Sequence, residues 1–212
     1  GSRGLTGAVC LAAEAAIRSG AGYATAAVPG GLEDIFEAKL TEVMTRGIGE
    51  GDLLGQEQAA EILDHLEGAA AVVLGSGIGR EETTAAMTAT VAAGCPAPLV
   101  LDADALSTFG TDLTPLAGRQ APTVLTPHAG EAARLLGLES AEVSAHRLRS
   151  ATELAAGAGA VVVLKGDDTI VTDGERVAVN TLPAPALATA GTGDVLAGMV
   201  GADGEGHELF ER

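Results

Sequence analysis

Apolar positions recur along this chain with two different rhythms. Stretches with one apolar face predict helices over Leu5–Ser19, rich in alanine and closed by Gly20, and over Gly31–Leu40, Gln56–Glu67, Glu81–Ala93, Gly130–Leu136 and Ala141–Ala156. Between them lie short, nearly unbroken apolar runs that predict strands: Gly22–Val28, Ala70–Leu74, Pro98–Leu101, Thr123–Leu125 and Val161–Leu164. Thr41–Glu50 suits a strand or a turn, and Asp102–Phe109 a short helix. Asp168–Val171 and Arg176–Val179 flank Asp173-Gly174 and predict a hairpin. Strands that are apolar throughout, alternating with helices, predict a largely parallel sheet covered on both faces. No linker, low-complexity block or internal repeat breaks the pattern, so residues 1–212 read as one α/β domain.

Composition adds how that core is built. Aromatic residues make up 2%, with no Trp and one Tyr, so Ala, Val, Leu and Ile must fill the interior through many modest contacts. Thirty glycines without a collagen-like period predict many tight turns. The balance of 12 Lys+Arg against 29 Asp+Glu, net −17, argues against nucleic-acid and anionic-membrane partners, which need basic patches. Cys10 and Cys95 are far apart, without metal-ligand spacing, and read as small buried residues. No apolar run reaches the ~18 residues of a membrane span. A cytoplasmic enzyme is the expectation.

Chemistry-bearing residues collect just after predicted strands, where ligands of open α/β sheets bind. Gly75–Gly79 has glycine at alternate positions and matches neither the dinucleotide fingerprint nor a Walker loop. Asp102 and Asp104 follow a buried strand; Asp104 suits an N-cap of the next helix and Asp102 a site role. In Thr126-Pro127-His128-Ala129-Gly130-Glu131, His128 and Glu131 stand near a helix start. Two readings stay open: Glu131 caps that helix beside a solvated His128, or it holds a magnesium-bound water, as Mg²⁺ takes few direct carboxylates. Lys165-Gly166 ends a valine-rich strand, where the ammonium either reaches a phosphate or lies along the surface.

The most informative segment is Ala188–Met199, in which Gly191-Thr192-Gly193-Asp194 leads into small apolar residues suited to a close-packed helix. Such an entry points backbone N–H groups at one spot where the helix dipole favours an anion. Asp194 then stands where a general base for a phosphoryl acceptor would be needed. The plain alternative is a glycine-rich helix cap.

Taken in order, Gly7-Ala8, Gly75–Gly79, Asp102–Leu106, Thr126-Pro127-His128 with Glu131, Leu164-Lys165-Gly166 and Gly191–Asp194 resemble the ADP- or ATP-dependent NAD(P)H-hydrate dehydratases. The likeness runs from Ser2 to Gly201. It implies a three-layer α/β/α ribokinase-like domain with a mostly parallel central sheet. It also implies repair of hydrated nicotinamide dinucleotides: the ring hydroxyl is phosphorylated by ADP (or ATP) with Mg²⁺, and phosphate is then eliminated. By motif, Ala8, Gly77, Gly79, His128, Glu131 and Asp194 would contact the hydrated dinucleotide. Lys165, Gly166, Asp167, Asp168 and Thr169, with Gly191, Thr192 and Gly193, would bind the adenine nucleotide, and Asp194 would be the base.

Against that pattern the chain lacks the valine-rich strand expected before Gly1-Ser2 and the helices expected after Val200, and it closes on the polar acidic tail Gly201–Arg212. The resemblance further implies a homo-oligomer. Two other readings stand beside it: a ribokinase-like kinase of a small alcohol or vitamin precursor, and a non-catalytic nucleotide-binding fragment.

Overall fold

The computed structural model describes residues 1–182 and 184–204. All but the first residues of the expected acidic tail therefore lie outside the described residues. The chain starts with α1 (Thr6–Arg18), β1 (Thr25–Pro29), α2 (Glu33–Lys39), β2 (Met44–Ile48) and α3 (Ala59–His65). It continues with β3 (Val72–Leu74), α4 (Glu82–Gly94), β4 (Leu99–Leu101), α5 (Asp104–Ser107), α6 (Thr114–Ala117) and β5 (Thr123–Leu125). Then follow α7 (Ala129–Leu136), α8 (Ser140–Ala145), α9 (Arg147–Ala158), β6 (Val161–Leu164), β7 (Thr169–Thr172), β8 (Val177–Asn180) and α10 (Thr192–Ala202).

The strands form a six-stranded sheet in the order β3-β4-β5-β6-β7-β8 and a separate parallel pair, β1-β2. β3 to β6 are parallel, while β7 and β8 close the sheet as the expected antiparallel hairpin. Its turn is held by Asp173, whose Oδ1 accepts the N–H groups of Glu175 (3.0 Å) and Arg176 (2.7 Å). Those two backbone donors draw the Asp173 carboxyl down to about 2.

Side-chain alternation along each strand divides the core between two faces. Leu99, Leu101, Leu125, Val162 and Leu164 pack with Leu106, Leu135 and Leu154 from the helices on one side. Val100, Val124 and Val163 meet Ala197 and Val200 of α10 on the other. This is the three-layer arrangement expected, and its interior is aliphatic. The alanine- and glycine-rich helices α1 and α10 lie in close contact: a Cβ on Gly198 would collide with the carbonyl of Ala12. A smaller cluster of Cys10, Val28, Leu32 and Phe36 joins α1, β1 and α2. Cys10 and Cys95 are both buried free thiols, as their sequence context predicts.

Two local expectations differ from the structure. The helix expected over Ala141–Ala156 breaks at His146 (φ −130°, ψ 44°) into α8 and α9. The break puts Arg147 at the start of α9, where its side chain reaches Leu164 O at 3.1 Å and Asp168 O at 2.8 Å. Helix α6 was not foreseen; its start is organised by Asp112, which accepts from the Thr114 hydroxyl at 2.6 Å and the Thr114 amide at 3.1 Å.

Candidate active site

The carboxyl ends of β3, β4, β5 and β6 converge, and their first polar residues meet. Asp102, just beyond β4, is almost fully buried. Its Oδ1 accepts from the Thr126 hydroxyl at 2.6 Å and from Lys165 Nζ at 2.8 Å. A buried carboxylate needs such partners, because its desolvation otherwise disfavours the fold. Three strands thereby contribute one polar cluster. The loops after β5 and β6 are also joined, since the Lys165 N–H donates to Pro127 O at 2.8 Å.

The backbone around Asp102 is tightly constrained. Ala103 has φ 50°, and no other non-glycine residue among those described has positive φ. Such a conformation costs about 1–3 kcal/mol and persists only where the surroundings enforce it. Gly75 (φ 133°) passes so close to Asp102 that a Cβ there would strike the Asp102 carbonyl. Ala103, not Asp104, occupies the N-cap of α5. The capping role expected for Asp104 is therefore corrected: its carboxylate instead accepts the Gly79 N–H at 3.2 Å and pairs with Arg80 Nε at 2.7 Å.

Helix α10 enters this cluster with its N-terminus. Gly191 (φ 91°) is the N-cap, and no side chain caps the helix. Uncapped first-turn N–H groups and the helix dipole make this end suited to an anion. Gly193 brings its backbone beside the cluster; a Cβ there would lie 3.3 Å from Lys165 Nζ and 3.9 Å from Asp102 Oδ2. The Thr192 hydroxyl is spent on the preceding loop, donating within 2.8 Å of Leu187 O and Thr189 O, and the Thr192 N–H also donates to Thr189 O at 3.5 Å.

Asp194, in the first turn, is half-buried, and that burial pushes its carboxyl above the ordinary carboxylate value. The Ser76 hydroxyl opposes the rise, the Asp102 carboxylate adds to it, Lys165 opposes it and Asp104 adds to it. The direction is opposite to what the helix dipole alone would give, because desolvation wins. A carboxylate made more basic in this way is suited to accept a proton.

At α7 the outcome is different. His128 is the N-cap, and its Nδ1 accepts from Gly130 N at 3.0 Å and Glu131 N at 3.2 Å. Glu131 Oε2 accepts the His128 N–H at 2.8 Å, completing a reciprocal capping box. The acceptor role of Nδ1 leaves the imidazole proton on Nε2, which faces Glu131 Oε1 at 3.4 Å. Both carboxylate oxygens of buried Glu131 are thus directed to His128. The capping reading of Glu131 is thus realised in the structure. The His128 ring itself remains half exposed at the cluster's edge.

The remaining expected residues form two groups. Ala8 and Gly77 are in contact, since a Cβ on Gly77 would lie 3.1 Å from Ala8 Cβ, with Gly79 following in the same loop. Gly166, Asp167 and Asp168 form the β6–β7 turn and Thr169 opens β7, with Gly166 and both aspartates exposed. Arg147 lies over Gly166 and its Nε stands 3.3 Å from Asp168 Oδ1. A groove of about 570 Å³ opens beside Arg147, lined also by His146, Leu148, Arg149 and Thr152. It borders the β6–β7 turn rather than Asp194. Among the described residues, no three His, Cys, Asp or Glu side chains cluster to hold a metal, and no helix is long and apolar enough to cross a membrane.

Ser76 and Arg147 were not singled out from the sequence. Ser76 sits in a loop that reads as an ordinary turn, and Arg147 lies inside what reads as continuous helix. Asp102 and Thr126 carried a signal, a polar residue directly after an apolar strand, but not their shared bond.

A bifunctional NAD(P)H-hydrate repair enzyme of Moorella thermoacetica is 41% identical over 211 residues, which is 97% of this chain and 40% of that protein. The chain thus spans well under half the length of that curated relative. An ADP/ATP-dependent NAD(P)H-hydrate dehydratase of Bacillus subtilis, crystallised with ATP/Mg²⁺ and soaked with CoA, superposes with TM-score 0.76 at 28% identity. That match covers 95% of this chain and 70% of the other. A ribokinase-like superfamily protein of Enterococcus faecalis matches with TM-score 0.77 at 27% identity, over 95% of this chain and 67% of its own. The family model described as NAD(P)H-hydrate dehydratase matches residues 1–202, which include every strand-end residue of the Asp102 cluster and all of α10. With the family model and the relatives in agreement, the chain belongs to the NAD(P)H-hydrate dehydratase family.

Proposed function

We propose that this chain catalyses the nucleotide-dependent dehydration of (6S)-NAD(P)H-hydrate to NAD(P)H, with ADP as the phosphoryl donor. The observation that carries the proposal is Asp194: a half-buried carboxylate of raised basicity on an uncapped helix N-terminus, beside the Lys165 ammonium. Asp194 takes the proton from the hydroxyl of the hydrated ring as that oxygen bonds to the terminal phosphorus of the nucleotide. The bond from phosphorus to the leaving AMP oxygen breaks. The ring carbon–oxygen bond of the new phosphate ester then breaks and inorganic phosphate leaves, while the neighbouring ring carbon gives up a proton to water, so that the carbon–carbon double bond of the reduced ring is restored.

The first-turn amides of α10 and Lys165 supply the positive environment that such a transfer requires. The β6–β7 turn, Lys165–Thr169, and Gly191–Gly193 bind the nucleotide. Ala8, Gly77, Gly79 and the exposed edge of His128 bind the hydrated dinucleotide. The acidity of Asp167 and Asp168 suits them to hydroxyl donors such as a ribose, not to phosphate oxygens. Mg²⁺ supplies charge neutralisation on the phosphates when it enters with the nucleotide.

The kinase alternative is not favoured, because the matching family model and the curated relative are both of hydrate repair. The deciding assay incubates the chain with hydrated NADH, Mg²⁺ and either ADP or ATP and follows the near-ultraviolet absorbance of the reduced nicotinamide. Recovery is expected with ADP. No recovery with either nucleotide would overturn the reading, and a phosphorylated product that persists would support the kinase.

A further inference from the structure

We propose that Ser76 is a positioning residue for Asp194: its hydroxyl donates to one carboxylate oxygen and leaves the other free to take the substrate proton. The inference rests on Asp194 being the base. It starts from an anomaly, because Ser76 is buried and its Oγ has no regular hydrogen-bond partner. Leaving a buried hydroxyl unpaired is unfavourable by about 1–3 kcal/mol, so such a group calls for an explanation.

The backbone does not let Ser76 turn away. On one side Gly75 is pressed against the Asp102 carbonyl, and on the other Gly77 is pressed against Leu5 and Ala8 of the N-terminal segment. The Gly77 carbonyl is held as well, accepting from Ser2 Oγ at 3.0 Å. The Ser76 hydroxyl lies near enough to Asp194 to favour the ionised carboxylate, but short of a regular hydrogen bond. Catalytic contacts are often long in ligand-free enzymes and tighten when substrate is bound.

The charged groups facing Asp194 cannot do the same work. Asp102, at the end of β4, and Asp104, at the start of α5, are carboxylates and repel it. Lys165, at the end of β6, attracts it, but its ammonium is already engaged by Asp102 Oδ1 at 2.8 Å. A neutral O–H donor from the β3–α4 loop is what remains to fix one oxygen. It also offsets part of the burial penalty without delivering a proton of its own.

The test titrates the Asp194 carboxyl by carbon-13 NMR in the full chain, with the resonance assigned by its loss in Asp194→Asn. Ser76→Ala is expected to titrate about 0.5–1 unit higher than the parent, the equivalent of one hydrogen bond. Ser76→Thr, which keeps the hydroxyl, is expected to titrate like the parent. In the dehydration assay the acid limb of kcat/KM should move up in Ser76→Ala by the same amount, and the high-pH plateau should fall because one carboxylate oxygen is no longer fixed. A resonance that stays put or moves down in Ser76→Ala overturns the inference, and so does an equal shift in Ser76→Thr, which would trace to packing. The NMR titration needs no turnover. A shifted resonance in an inactive chain would therefore retire the proposed reaction and leave the Ser76–Asp194 contact standing.

Discussion

The N-termini of α7 and α10 lie close in the fold and carry similar signals, yet they have opposite uses. Each follows a loop with glycine or proline, and each has an acidic residue in its first turn, Glu131 or Asp194. At α7 the side chains satisfy the helix: His128 takes two N–H groups and Glu131 returns to the His128 N–H. At α10 no side chain does so, and the Thr192 hydroxyl points back into its own loop. A closed helix end contributes stability, whereas an open one keeps its amides for a ligand. The same residue class therefore serves structure in one place and chemistry in the other, and the partner at the N-cap decides which.

The largest expected effect comes from the open end. Asp194→Asn should lower turnover by about 10²–10⁴-fold, measured by the recovery of reduced nicotinamide. Its stability should stay level or rise, because the replaced carboxyl is unfavourably buried. Activity that survives intact would remove Asp194 from the chemistry and erase the contrast between the two ends.

Next is the cluster beneath α10. Asp102→Ala removes one partner of a buried pair and leaves Lys165 and Thr126 without their shared acceptor. A loss of about 3 kcal/mol is expected in denaturant unfolding. A loss below half of that would mean that Lys165 finds water easily and that the pair does little to hold the strand ends together.

At the closed end, Glu131→Ala should cost about 1 kcal/mol of stability through the lost capping box. The Mg²⁺ dependence of turnover should remain that of the parent. A weakened Mg²⁺ response with unchanged stability would reverse the assignment and return Glu131 to the metal.

The smallest effect is the pH dependence of folding that Asp194 imposes. Its carboxyl is raised in the folded chain, mainly by burial, so the folded state holds the proton more tightly than the unfolded one. Stability should therefore fall as pH rises from the ordinary carboxylate value through the raised one, and Asp194→Asn should lack that slope. A parent slope of the opposite sign would mean that the α10 dipole and Lys165 outweigh desolvation.

Most of the architecture was legible because its signals are local. Valine- and leucine-rich strands such as Val161–Leu164 carry their burial in their composition, and Asp173-Gly174 marks the hairpin that the structure contains. The break at His146 was not legible, since Ala141–Ala156 has continuous helical periodicity and the interruption serves a contact between Arg147 and a distant turn. In the same way Asp104 looked like a cap because it precedes a helix, but Gly79 and Arg80 claimed it from another loop.

Residue order alone settled that strand ends would carry the polar chemistry and that Asp194 would stand at a helix entrance beside glycines. Those are properties of short segments, governed by side-chain period, backbone freedom and helix-end electrostatics. Tertiary structure decided which acidic groups are neutralised and which are left for a substrate. Lys165 and Thr126 reach Asp102 across three strands, Glu131 folds back on His128, and burial raises the Asp194 carboxyl. Ionisation and hydrogen-bond pairing depend on burial and on neighbours distant in the chain, and only the packed molecule brings those neighbours together.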